Sequence, residues 1–117
     1  MDKVEIKNAV ITDARFDTER GLTAWIYLDY GGSGQGFGGW LLYGPKGWKA
    51  HESHGNYAGH FIWRVLEIAG VDDWSKLRGK TIRARCSWSK VEAIGHIVKD
   101  DWFDPAVDFA ALEARRG

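Results

Sequence analysis

The sequence predicts a single α+β domain: an antiparallel β-sheet, with the element order βββ-α-ββ-α, and helices packed on one face. Two hairpin-like pairs of alternating segments flank one segment with helical spacing of apolar residues, and a second helix start follows near residue 104. Hairpins favour antiparallel pairing, and helices outside a βαβ alternation collect on one face of such a sheet. With 117 residues and no linker, repeat or low-complexity tract, residues 1–117 are expected to form one domain.

Three strands are expected before residue 44. Val4–Ile11 and Leu22–Tyr30 both alternate between apolar and other side chains, and the polar segment Asp13–Gly21 between them predicts a turn. The glycine-rich segment Gly31–Gly39 is expected to join the second strand to a third, Trp40–Tyr43, as a hairpin. The residues expected to share one face of each strand are Val4, Ile6 and Val10, and then Leu22, Ala24, Ile26 and Leu28.

A helix is expected in the middle of the chain. Gly44–Asn56 predicts a loop of a length that is usually functional or mobile. Tyr57–Ala69 has the helical period, Gly70 is a plausible stop, and Asp72–Leu77 predicts a short helical turn. The apolar stripe of the helix consists of Phe61, Ile62, Val65, Leu66 and Ala69.

The second hairpin and the last helix complete the pattern. Lys80–Trp88 alternates clearly, and Val91–Val98 is its expected partner. Asp104 is a suitable N-cap and Pro105 a suitable first helical residue, so a helix is expected from there to about Arg115.

Composition limits the classes of function. A formal net charge of +0 argues against non-specific binding to duplex nucleic acid, which needs a basic surplus. The lone Cys86 excludes an internal disulfide and is expected to be a buried, inert thiol in a reducing compartment. No apolar run is long enough for a membrane span or a signal-peptide core. We therefore expect an intracellular protein with no membrane partner.

The glycine segment allows two interpretations. Gly34–Gly39 fits the pattern G-x-G-x-x-G, but a strand rather than a helix is expected after it, which disfavours a dinucleotide fold, and no Walker lysine follows. The glycines can serve a bulged hairpin, or they can permit close approach of a ligand or of a neighbouring subunit. Both interpretations stay open at this stage.

Residues suited to metal binding or catalysis form no convincing set. His51 and His54 lack a convincing third ligand at helical or hairpin spacing, and His60 lies off the apolar stripe of the predicted helix. All three histidines are expected to be solvated rather than bound to a metal. The acidic residues near 100–104 are expected to cap and compensate the last helix. No nucleophile with an adjacent base is recognisable. We expect no metal, no cofactor and no enzymatic activity.

Arginines and aromatic rings are the better candidates for binding. Arg83 and Arg85 point the same way from a strand, about 7 Å apart, and two guanidinium groups at that distance can straddle phosphates. The alternative is a solvated face on which the arginines lie over rings. The rings Trp25, Tyr27, Trp63, Trp88, Trp102 and Phe103 can stack a base, or they can serve core and interface packing. Seven tryptophans in so short a chain also predict a homo-oligomer, at least a dimer.

The complete set of expected ligand-binding residues combines these groups with polar residues of the neighbouring segments. It consists of Arg83, Arg85, Trp25, Tyr27, Trp88, His96, Arg64, Trp102, Phe103, Gln35 and Gly36.

Four segments together resemble a known family. They are LDYGGSGQGFGG at residues 28–39, FIWRVL at 61–66, AIGHI at 93–97 and DWFDP at 101–105. The chain resembles small phage and prophage proteins that we connect with the anti-Thoeris sponges of the first type, over about residues 4–105. The glycine segment is distinctive, and the other three are supportive.

The resemblance implies a phage anti-defence protein of the host cytoplasm. Such sponges bind cyclic ADP-ribose isomers made by bacterial TIR-domain proteins and hold them without cleavage. They form dimers, and some members form hexamers that also take cyclic oligonucleotides at separate sites. Two other functions remain as alternatives: a phage accessory module that binds protein or single-stranded nucleic acid, and a small nucleotide hydrolase.

Overall fold

A computed structural model describes residues 3–43 and 55–116, which form a six-stranded antiparallel sheet and two α-helices that pack against it. The strand order in the sheet is β3-β2-β1-β4-β5-β6. The predicted α+β class is confirmed. The elements are β1 (Glu5–Asp17), β2 (Leu22–Asp29), β3 (Gly34–Tyr43), α1 (Gly55–Ala69), β4 (Thr81–Cys86), β5 (Val91–Gly95), β6 (Trp102–Phe103) and α2 (Pro105–Arg116).

Strand β1 differs from the prediction in length and in face. It continues to Asp17 through the segment that was expected to be a turn, and a bulge shifts its register with β2 between Ile11 and Asp13. Ala9 and Ile11 are buried, whereas Ile6 is 60% exposed. The predicted apolar face of Val4, Ile6 and Val10 is therefore the exposed one, because the small Ala9 and not its larger neighbours faces the core.

The glycine segment is itself a strand. The connection predicted over Gly31–Gly39 is shorter in the structure, because β3 already begins at Gly34. The remaining residues form a tight turn, in which the Tyr30 amide donates to the Ser33 carbonyl at 2.8 Å. The hairpin of β2 with β3 is confirmed, with bulges at the Leu22 end. The glycines therefore occupy ladder positions opposite the side chains of β2.

Helix α1 follows the prediction closely. Its most deeply buried residues include Phe61 and Val65 of the predicted stripe, and its other stripe residues pack half-buried against the core. Gly70, with a φ of +72°, ends it, and the amides of Gly70 and Val71 both donate to the Leu66 carbonyl. A short 3₁₀ helix, Trp74–Lys76, occupies the predicted helical turn. Of the predicted loop Gly44–Asn56, residues 44–54 lie outside the described residues.

The second hairpin and the last helix are also confirmed. Strands β4 and β5 pair as expected but are shorter than predicted, and the two-residue strand β6 was not predicted. Asp104 caps α2, since its Oδ1 accepts from the Ala106 amide at 3.0 Å, and Pro105 is the first helical residue.

The sheet curls so that its outer strands approach each other. The rings of Phe37 on β3 and Phe103 on β6 lie 6.0 Å apart, and Phe61 of α1 lies about equally near both. The Gln35 amide donates across the same gap to the carbonyls of Ser87 and Trp88 at 3.2 and 3.0 Å. The inner, concave face holds the core with α1 packed into it. The outer face carries the side chains that alternate with the core residues.

Among the described residues, neither helix combines the length and the apolar character needed to cross a bilayer.

Candidate ligand-binding site

Trp25 and Tyr27 form an aromatic platform on the outer face of the sheet. They are two residues apart on β2, so both side chains leave the same face. Their ring centroids lie 6.2 Å apart with an angle of 18° between the planes. The Trp25 Nε1 atom donates to Thr23 Oγ1 at 3.1 Å, which fixes the orientation of the indole.

The glycines of β3 make room for this platform. A Cβ atom on Gly39 would lie 2.7 Å from Cζ2 of Trp25, and one on Gly36 would lie 3.3 Å from Cε1 of Tyr27. Only a strand without side chains at these positions lets the rings lie against its backbone. The close approach that the glycines permit is thus one by the chain's own aromatic side chains.

A cation covers one end of the platform. The guanidinium carbon of Arg15 lies 4.8 Å from the centre of the Tyr27 ring, a cation–π distance. Hydrogen bonding and Coulomb attraction to Tyr27 raise the pKa of Arg15. The Arg15 side chain is 57% exposed and its nearest carboxylate oxygen, on Asp13, is 3.9 Å away. More than half of this side chain is therefore open to solvent beside the platform.

A cleft of about 530 Å³ opens beside the platform, between Leu41 of β3 and the turn that joins β1 to β2. This volume lies within the usual range of small-ligand sites, about 300–1,000 Å³. Its charged groups come from Asp17, Glu19 and Arg20. A smaller cleft of about 330 Å³ lies on the other side of Trp25, toward Lys90 and the start of α2. The indole of Trp25 therefore borders two open spaces.

Arg83, predicted to hold phosphate, is engaged within the chain. Its Nε donates to the His96 carbonyl at 2.8 Å and its Nη2 to the Lys99 carbonyl at 2.7 Å. Its guanidinium lies 4.9 Å from the Trp102 ring, and Trp102 in turn covers Gly95. Arg83 thus stabilises the turn between β5 and β6. This corresponds to the second of the two interpretations given above, in which the arginine lies over an aromatic ring instead of binding phosphate.

Two more of the predicted residues support the same part of the fold. Arg85 forms an ion pair with Asp104, the N-cap of α2. His96 Nδ1 accepts from the amides of Val98 and Lys99 at 3.0 and 2.9 Å, which stabilises the same turn that Arg83 binds. Phosphate binding by either arginine would require it to give up these partners.

Arg64 and Phe103 hold α1 against the end of the chain. Arg64 donates to Asp101 at 2.8 Å, to Glu67 at 2.9 Å and to the Trp102 carbonyl at 3.0 Å. Burial opposes its charge, but the hydrogen bonds to Asp101 and Glu67 raise its pKa overall. Phe103 is fully buried, so neither face of its ring is open to a ligand.

Of the eleven predicted residues, the structure brings together Trp25, Tyr27 and Gly36. Trp88, 82% exposed, lies at the turn between β4 and β5, and the Gln35 amide binds its carbonyl. Sequence reasoning missed Arg15, since a turn was expected there. Its signal was the alternation of charged residues with Ala14 and Phe16, which marks a strand. The cleft residues missed for the same reason are Asp17, Glu19 and Arg20.

His, Cys and acidic side chains are the groups that could serve metal or acid–base chemistry. In residues 3–43 and 55–116, no three His, Cys, Asp or Glu side chains lie close enough to share a metal ion. His60 lies on α1, within the predicted helix, but it is half-buried rather than solvated, with Nε2 2.7 Å from Asp108 Oδ2. His51 and His54 lie outside the described residues. Cys86 is a buried free thiol as predicted, and burial and hydrogen bonding to Cys86 raise the pKa of Tyr30.

The tryptophans divide between packing and exposure. Trp40 and Trp74 pack against the core, while Trp25 and Trp102 lie over glycines on the outer face. Trp63 on α1 is 64% exposed. Open indole surface is thus present at more than one place on the molecule. Trp48 lies outside the described residues.

No protein-family profile, curated protein or solved structure matches this chain, so no family is assigned to it by comparison.

Proposed function

We propose that this chain binds a cyclic nucleotide signal, a cyclic ADP-ribose isomer or a related cyclic oligonucleotide, and sequesters it without cleavage. The observation that carries the proposal is the aromatic platform of Trp25 and Tyr27, laid on the glycine strand β3 beside a cleft of about 530 Å³. The resemblance of residues 28–39 to the sponge family supports the ligand class, because those residues include the glycines beneath the platform.

Each part of such a ligand has a counterpart at the cleft or on the platform beside it. A purine ring stacks on Trp25, which borders the open space, and base–aromatic stacking contributes about 1–3 kcal/mol. Arg15 and Arg20 supply charge for the phosphates. The carboxylates of Asp17 and Glu19 can accept hydrogen bonds from ribose hydroxyls. Binding of this kind needs no nucleophile or base.

We place this activity in the cytoplasm of an infected host cell, where such a signal is produced. Sequestration then acts by mass action, because each occupied platform removes one signal molecule from the downstream effector. Protein must accumulate to at least the concentration of the signal, since a sponge turns nothing over. A homo-oligomer of the kind implied by the resemblance would present one platform per subunit.

The test is a titration of the full chain with cyclic ADP-ribose isomers and cyclic oligonucleotides, read by calorimetry and by thermal shift. Binding stabilises the native state by about 2.7 kcal/mol at a hundredfold excess of ligand over its dissociation constant. Trp25→Ala should weaken binding about 10–100-fold. Trp63→Ala removes an indole of α1 that is 64% exposed, more than that of Trp25, and lies away from the cleft, so it should leave the affinity unchanged.

Recovery of the ligand separates sequestration from hydrolysis. The protein is incubated with excess cyclic nucleotide and then denatured, and the nucleotide is analysed by mass spectrometry. Intact ligand is expected. Loss of more ligand molecules than there are subunits would identify a hydrolase instead.

Single-stranded nucleic acid is the second candidate, favoured by the nearly parallel rings of Trp25 and Tyr27 and the cation on Tyr27. Successive bases of one strand can stack on such a surface, and this binding weakens steeply with salt. Titration with a short oligothymidine at two salt concentrations distinguishes the two. Tight, salt-sensitive binding together with no shift from any cyclic nucleotide would favour the accessory-module function.

A further inference from the structure

Strand β1 has a stretch of backbone with no strand on one side. It pairs with β2 only from Val10 to Asp17, and with β4 only from Glu5 to Val10. On the side of β2, the segment Glu5–Ala9 therefore has no pairing partner within residues 3–43 and 55–116. An edge of this kind presents unpaired amides and carbonyls to any strand that can lie against it.

The direction of these free groups follows from the neighbouring hydrogen bonds. The Ile11 amide donates to the Lys80 carbonyl at 2.8 Å, and the Ile11 carbonyl accepts from the Gly79 amide at 2.7 Å. Backbone groups alternate between the two sides of a strand, so the odd-numbered residues of this segment face β4. The backbone amides and carbonyls of Ile6 and Asn8 consequently face the unpaired side.

Apart from the buried Ala9, the side chains around Ile6 are largely exposed, and Lys7 lies 5.5 Å from the centre of the Tyr30 ring. Val4 is 48% and Ile6 60% exposed on the outer face. On the opposite face, Glu5 and Lys7 are 49% and 44% exposed, and their charged atoms are 3.8 Å apart. A natural edge strand is normally blunted by proline, by like charges or by a covering element. This one carries apolar side chains and one charge of each sign.

We propose that this edge binds the same edge of a second copy of the chain, in an antiparallel pairing with its two-fold axis at Ile6. Ile6 then lies opposite the partner's Ile6, and the two residues exchange both backbone hydrogen bonds. Glu5 lies opposite the partner's Lys7, and Lys7 opposite the partner's Glu5. The resulting interface is isologous and joins two six-stranded sheets into one.

The order of charged side chains along this edge favours a second copy of the chain over an unrelated strand. Around Ile6 the order is acid, apolar, base, which is complementary to itself when read in the opposite direction. Opposite charges directly across a ladder stabilise the pairing, and like charges destabilise it. The available length also fits, because pairing of residues 4–8 with the same residues of the partner ends before Val10, where β1 begins to pair with β2.

The experiment is sedimentation velocity of the full chain across a range of micromolar concentrations. The wild type should show a dimer in reversible equilibrium with the monomer. Glu5→Lys and Lys7→Glu each place like charges opposite each other, so each variant alone should dimerise at least about tenfold more weakly. Lys80→Glu makes the same change of charge on the far side of β1 and should dimerise like the wild type.

Mixing the two variants is the decisive measurement. A chain carrying E5K has two lysines flanking Ile6, and one carrying K7E has two glutamates, so the equimolar mixture should form a heterodimer about as tight as the wild-type dimer. The double variant E5K/K7E should recover the homodimer. Melting temperatures close to the wild-type value show that the variants are folded. A wild type that is monomeric throughout, a dimer unaffected by either single change, or a mixture no tighter than its components would each overturn the proposal.

Discussion

Trp25 and Trp102 both pack on a glycine on the outer face of the sheet, but only Trp25 is open to a ligand. A Cβ on Gly39 would come within 2.7 Å of the Trp25 ring, and one on Gly95 equally close to the ring of Trp102. Yet Trp25 borders open clefts, whereas Trp102 is covered by a guanidinium whose donors are bound to main-chain carbonyls.

The difference lies in what each arginine can bind. Arg83 reaches two carbonyls of the turn between β5 and β6. Within residues 3–43 and 55–116 no carbonyl accepts from Arg15, which stays more than half exposed over Tyr27. An arginine beside an aromatic ring is thus available to a ligand only where nearby carbonyls leave its donors unused. Residue types alone do not distinguish the two cases.

The largest expected effect comes from giving these glycines a side chain. Gly39→Ala places a Cβ against the Trp25 ring and at a φ of +95°, so we expect a loss of about 2–4 kcal/mol in the free energy of unfolding. Gly95→Ala meets the Trp102 ring without that backbone strain and should lose about 1–3 kcal/mol. Urea unfolding measures both.

The matched control is Gly32→Ala, where a Cβ would meet no atom within 4 Å. It should change stability by no more than about 0.5 kcal/mol. If all three variants were equally stable, the close packing of rings on glycines would be disproved. Gly39→Ala should also reduce ligand affinity, since it displaces the platform, whereas Gly95→Ala should not.

Smaller effects are expected from replacing the two arginines: a loss of stability for Arg83 and a loss of ligand affinity for Arg15. Arg83→Ala breaks two charge-assisted hydrogen bonds of a half-buried group and should cost about 1–2 kcal/mol of stability, with ligand affinity unchanged. Arg15→Ala should leave the melting temperature nearly unchanged and weaken ligand binding about tenfold. The reverse result would return the phosphate site to the Arg83 and Arg85 pair.

The smallest effect is expected at Trp88. Its indole is 82% exposed, and its backbone carbonyl accepts a hydrogen bond from the Gln35 amide. Trp88→Ala should change the free energy of unfolding by less than about 0.5 kcal/mol and leave the platform's affinity intact. A clear loss of affinity would show that the exposed indole folds over the ligand, and would extend the site beyond the cleft.

The sequence predicted elements well where one physical signal dominated. The 3.6-residue stripe identified α1, and Asp104 with Pro105 identified the start of α2. The sequence-based prediction was wrong where one sequence feature can arise from two different structural causes. Glycines usually indicate turns, but in β3 they lie beneath rings from another strand, a non-local cause that no local pattern contains. The two-residue strand β6 is too short to show any period.

The candidate site was only partly predictable for the same reason. Trp25 and Tyr27 could be placed together, because residues two apart share one face of a strand. Arg83 and Arg85 could also be placed together, but the carbonyls that engage Arg83 belong to residues 96 and 99, in a turn whose shape the sequence does not reveal. Which arginine is open to a ligand depends on tertiary hydrogen bonds, and these become visible only in the fold.

The central place of β1 in the sheet has a consequence for synthesis on the ribosome. Its neighbour β2 follows at once in the chain, but its other neighbour is distant, since Ile6 pairs with Arg85. At about 5–20 residues per second, the partner strand emerges roughly 4–16 s after β1. During that interval the three-stranded meander of β1, β2 and β3 can form, while the first half of β1 is bare on both sides. The nascent chain therefore carries this unpaired strand segment exposed for seconds, and under our proposal two such segments would first meet on neighbouring ribosomes of one message.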